Sequence, residues 1–148
     1  MNCCIAQLVV KGQLEDIDKF MEAVSIDATD TRIGLGIENA SINAKGEKDG
    51  IPYYYINGEV KGSVSYCIID ADYFTNEDKT KIKSISMQTA SKLYNCEVEI
   101  FGSDDECCEH YIYDNGKYVS FDTRFRNVWG ITKKNFKSKF KILKSVKS

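Results

Sequence analysis

A strand, a two-residue turn and a helix open this chain with almost no spare residue between them. Ile5 to Val10 is apolar and ends β-branched, Lys11-Gly12 turns the chain, and Leu14, Ile17, Phe20, Met21 and Val24 mark one face at helical spacing. Glu15, Asp16 and Asp18 fall in the first turns, where carboxylates are favoured by the helix dipole. A similar unit returns later. Ile82, Ile85, Thr89, Ala90 and Leu93 predict a second helix, opened at Thr75 with Asp78 in a variant capping box and closed at Asn95. Glu97 to Phe101 is the next strand. The repetition predicts an α+β class: a two-layer sandwich of one antiparallel sheet and two packed helices.

Between these units the chain reads as β structure. Ile33, Leu35 and Ile37 alternate with Gly34 and Gly36, which suggests a strand with one bare face. This Gly-x-Gly lacks the third glycine and the following helix of a nucleotide fingerprint. Asn43 to Gly50 is polar and reads as a loop. Tyr53 to Ile56 and Val60 to Ile69 read as strands around an Asn57-Gly58 hairpin turn. Three consecutive tyrosines place rings on both faces, so at least one is expected to be exposed. Cys107 to Tyr113 and Lys117 to Phe121 flank Asp114-Asn115-Gly116 and predict a second hairpin.

The length of 148 residues fits one domain with a real core, and no apolar run approaches the ~20 residues that a membrane span needs. The start carries no basic and apolar leader pattern, so a cytoplasmic location is expected. Six cysteines, Cys3, Cys4, Cys67, Cys96, Cys107 and Cys108, then read as small buried hydrophobes rather than disulfides. No Cys-x-x-Cys pair exists, and vicinal cysteines on a strand point to opposite faces, so no metal and no cofactor are expected.

The net charge of −2 hides an asymmetry. Residues 131–148 hold seven lysines and no acid, so the body of residues 1–130 carries about −9 and the end +7. Phe136, Phe140 and Leu143 stand at i, i+4, i+7, which predicts a basic amphipathic helix from about Lys134 to Lys147. Lys133, Lys134, Lys137, Lys141 and Lys144 are candidate nucleic-acid contacts. The phenylalanine spacing favours packing on protein over stacking on bases, and the basic end has an acidic body on which it could fold back.

Cys4 to Gly12, then Asp16-Ile17 and Phe20, resemble the opening of the YubB/Api92-like ferredoxin-like proteins of plasmids and phages. The stretch Phe101-Gly102, Glu109-His110-Tyr111 and Asn115-Gly116 is similar to their last hairpin. The family's aromatic-proline segment is missing, with Asp70-Ala71-Asp72-Tyr73-Phe74 in its place. The resemblance, over about residues 2 to 122, implies a ferredoxin-like fold and an accessory role in a mobile element. It implies no defined activity.

No catalytic set emerges. His110 is the only histidine and has no nucleophile placed beside it by a recognisable motif, and Asp70-x-Asp72 reads as a solvated strand end. The acids Glu97, Glu99, Asp104, Asp105, Glu106 and Glu109 form a concentrated group that could imitate phosphates and occupy a basic groove. The expected function is therefore non-enzymatic. The chain would capture a host protein or ribonucleoprotein, as an inhibitor of a nucleic-acid-handling defence complex of the anti-CRISPR kind. The alternative is a nucleic-acid binder acting through the lysine-rich end. No membrane partner is expected, and self-association is left open.

Overall fold

The computed structural model describes residues 3–69, 72–77, 80–103, 108–121 and 130–144. Strand β1 (Cys3–Lys11) leads through Gly12 into helix α1 (Leu14–Val24). Then come β2 (Thr31–Ile33), β3 (Glu38–Lys48) and β4 (Ile51–Lys61), a π-helical turn (Ser65–Ile69), β5 (Tyr73–Glu77) and β6 (Thr80–Ile85). Helix α2 (Met87–Leu93), β7 (Glu97–Ser103), β8 (Cys108–Asp114) and β9 (Lys117–Phe121) follow, and a short helix, α3 (Phe136–Lys139), lies near the end. Six strands form one antiparallel sheet in the order β3-β4-β1-β7-β8-β9. A second sheet has the order β2-β6-β5, with β2 parallel and β5 antiparallel to β6.

The expected two-layer, two-helix ferredoxin-like sandwich is therefore corrected. The large sheet is covered on both faces. On one, Cys4, Ala6, Leu8 and Val10 of β1 pack with Ile17, Phe20 and Val24 of α1, Met87 and Ala90 of α2, and Ile33 and Ile85 of the small sheet. On the other, Val9, Tyr53, Tyr55, Phe101 and Ile112 pack under Ile131, Phe136, Phe140, Ile142 and Leu143. Alternate residues of one strand serve opposite faces, so apolar side chains at both phases of β1 and β4 require two covers. All three tyrosines Tyr53, Tyr54 and Tyr55 are buried for that reason, against the expectation that one would be exposed.

The second helix also differs. Thr75 lies in β5, Asp78 lies outside the described residues, and Thr80 to Ile85 pair as a strand with β2 and β5. The true N-cap is Ser86, whose Oγ accepts from the Thr89 N–H at 3.1 Å. Asn95 does close the helix: it takes φ 46°, and the Cys96 N–H returns to the Ser91 carbonyl at 2.9 Å.

The positions of the turns also differ from expectation, with one exception. Asn57-Gly58 is not a turn; Gly58 pairs with Ala6 inside β4. A Cβ there would stand 2.2 Å from Ile37 Cγ2, so glycine serves close approach rather than reversal. The reversal is Asp49-Gly50, at φ 52° and 79°, within the stretch read as a loop. Gly34 and Gly36 take φ 57° and 82° and turn the chain between β2 and β3 instead of extending a strand. The β8–β9 hairpin stands as expected, with Asn115 and Gly116 at φ 47° and 88°.

Candidate functional site

The C-terminal segment 130–144 forms a strap across the large sheet. Its entry is fixed locally: the Thr132 N–H donates to Asn135 Oδ1 at 2.8 Å, and Asn135 Nδ2 donates to the Gly130 carbonyl at 2.5 Å. One helical turn, Phe136–Lys139, follows; Phe140 is extended, and Lys141–Leu143 is a 3-10 turn. The continuous helix expected from Lys134 to Lys147 is thus replaced by two short turns, and its last residues lie outside the described set. So short a helix gains little from its own hydrogen bonds and depends on packing.

That packing is aromatic. The Phe136 ring stacks on Tyr55 with centroids 4.3 Å apart and planes within 8°. Phe140 meets Phe101 edge-on at 5.0 Å. Both phenylalanines are at most 2 % exposed, so neither can stack on a base. Lys133, Lys134, Lys137, Lys141 and Lys144 are exposed on the outside of the same strap, and Lys139 is half-buried. Among the described residues none of these lysines is ion-paired.

Polar side chains of the sheet grip the strap's main chain. Gln7 Nε2 donates to Tyr55 Oη at 2.9 Å and to the Ile131 carbonyl at 3.1 Å. Lys11 Nζ donates to the Ile142 carbonyl at 3.0 Å and lies 2.9 Å from Glu97. The Ile142 N–H donates to Glu99 Oε1 at 2.9 Å, and Glu99 Oε2 lies 2.6 Å from His110 Nε2. His110 in turn stacks on Phe101 at 4.2 Å. Glu99 and His110 are 0 % and 1 % exposed; a carboxylate buried so deeply needs this set of donors.

The acidic group is consequently divided. Glu97 is paired with Lys11, and Glu99 lies beneath the strap. Glu109 is buried on the opposite face, where it accepts from Ser63 Oγ at 2.7 Å, the Val64 N–H at 3.1 Å and Tyr111 Oη at 2.9 Å. Asp104, Asp105 and Glu106 lie outside the described residues, as does Asp70. Asp72 accepts from the Ser86 N–H at 2.7 Å and so supports the start of α2.

Burial pushes the Cys96 thiol up to about 12, with Asp16 and Asp114 adding to the shift, and it also raises the Cys67 thiol. Both therefore behave as protonated, unreactive core groups at neutral pH. Among the described residues no group of three or more His, Cys, Asp or Glu side chains could hold a metal ion. No helix in them is long and apolar enough to cross a membrane.

Sequence reasoning missed Gln7, Lys11, Tyr55 and Phe101 as parts of the strap's seat. Gln7 carried a signal, a lone amide within an apolar strand. The other three read as ordinary strand residues.

Compared with protein-family models, curated proteins and solved structures, the chain matches none.

Proposed function

We propose that this is a non-enzymatic binding protein whose strap, when docked, offers a basic ridge to a nucleic-acid backbone. One observation carries the reading: the strap's phenylalanines are buried while five of its lysines face solvent with no carboxylate partner among the described residues. Anchored lysines lose less conformational freedom on meeting phosphates than lysines on a free tail. The acidic remainder of the chain then limits contact to that ridge. Because Phe136 and Phe140 are buried and offer no stacking platform, the ridge binds chiefly through charge on the phosphates.

Salt dependence tests the reading. If four lysines neutralise four phosphates of a single strand, log K falls with log salt at a slope of about −3, and affinity drops about 50-fold between about 50 and 200 mM salt. Binding that is insensitive to salt would overturn the electrostatic ridge.

Capture of a host protein through the acidic group, the reading tied to a mobile-element accessory role, draws no support from Glu99 or Glu109, which are buried. It rests on Asp104, Asp105 and Glu106, and reversing Asp104 and Asp105 while retaining capture would remove it.

A further inference from the structure

We propose that the sheet face beneath the strap is a peptide-binding surface, with the strap as its resident occupant, and that the strap leaves it while the sheet stays folded. The occupant it fits is a basic peptide of the strap's own pattern: two aromatic side chains four residues apart, then a branched aliphatic pair. This inference does not depend on the nucleic-acid reading.

The mode of attachment carries it. Gln7, Lys11 and Glu99 all bond main-chain atoms of the strap, at Ile131 and Ile142. Such bonds hold any peptide of suitable shape, while the surfaces around Tyr55 and Phe101 select the rings of Phe136 and Phe140. Glu99, 0 % exposed, bonds the strap's Ile142 N–H, so docking the strap keeps an acidic side chain desolvated against the sheet. That desolvation opposes the apolar gain. The strap's excess of lysine adds self-repulsion, and its two short turns have little stability of their own once detached. An opened strap therefore goes to a solvated, disordered segment, leaving the sheet with α1, α2 and the small sheet still packed on its other face.

The test uses the full chain. Native-state hydrogen exchange compares the Ile142 and Phe140 amides with those of Leu8 and Ile100. Opening of the strap alone makes the first pair exchange at least about 100-fold faster. A fluorescent peptide of residues 130–144 is then titrated into the wild type and into the F136A/F140A double variant. Weakening the resident strap frees the surface, so the peptide binds the variant at least about 10-fold more tightly, and a scrambled peptide of the same composition binds neither. Strap amides that exchange at the rate of Leu8 and Ile100 would overturn the proposal without need of a variant. So would equal binding of the scrambled peptide, or no binding of the native one.

Discussion

Glu99 Oε1 accepts the main-chain N–H of Ile142 at 2.9 Å, from 43 residues away in sequence. The same Ile142 gives its carbonyl to Lys11 at 3.0 Å. One peptide residue of the strap is thus held on both sides by oppositely charged groups from neighbouring strands, in the register Lys11↔Glu97 and Val9↔Glu99.

Removing the carboxylate leaves the Ile142 N–H and His110 Nε2 without this partner in a buried place. Glu99→Ala should lower stability by about 3 kcal/mol, and Glu99→Gln, which keeps an acceptor for Ile142, by about 1 kcal/mol. Urea denaturation of the two variants checks this. Equal midpoints for both would contradict the role of the carboxylate.

The strap has an inner and an outer face with different consequences. Phe136→Ala removes a stacked, buried ring and should cost about 3–4 kcal/mol. Lys137→Ala, one residue on and exposed, should stay within about 0.5 kcal/mol. Thermal unfolding of the pair separates them; a large loss at Lys137 would mean that the faces are misassigned.

Gly58 has no room for a side chain. Its Cβ would stand 2.2 Å from Ile37 Cγ2 and 2.8 Å from the Glu38 carbonyl oxygen. Gly58→Ala should therefore destabilise by about 1–3 kcal/mol through displacement of β3 from β4. A neutral substitution, measured by the same denaturation curve, would restore the turn reading of Asn57-Gly58.

Alkaline pH should weaken the fold in a defined window. Burial raises the Cys96 thiol from 9.0 to about 12 and the Tyr113 phenol from 10.0 to about 12. The neutral forms are favoured in the folded chain. Above about pH 9 the unfolded state holds fewer protons, so stability is full below that pH and falls as pH rises towards about 12. Urea midpoints at pH 8, 9.5 and 10.5 should decrease in that order, and a rise would contradict the burial of these groups.

Local signals in the sequence survive where they need only local partners. β1, α1, the Asn95 cap and the Asn115-Gly116 hairpin are all present because spacing and turn chemistry determine them. The failures have tertiary causes. Ile82 and Ile85 stand at helical spacing, yet β2 and β5 claim this stretch as a strand between them. Asn57-Gly58 and Asp49-Gly50 carry the same turn chemistry, and only the packing of Ile37 against Gly58 decides between them. The exposure of the strap's lysines was legible from charge, and the preference of Phe136 and Phe140 for protein packing from their spacing. The burial of Glu99 and Glu109 was not: period-2 alternation tells which acids share a face but not that both faces of the sheet are covered. That the strap supplies the second cover depends on Gln7, Lys11, Tyr55 and Phe101 meeting residues more than thirty positions away.

The most direct test of the basic ridge is fluorescence anisotropy of a labelled single-stranded oligonucleotide against three full-length proteins. These are the wild type and variants with Lys134, Lys137, Lys141 and Lys144 all changed to Gln or all changed to Arg. The Gln variant should bind at least about 30-fold more weakly at low salt and lose most of its salt dependence, while the Arg variant stays within about 3-fold of wild type. A Gln variant that binds as tightly as wild type, with an unchanged salt slope, would contradict the account.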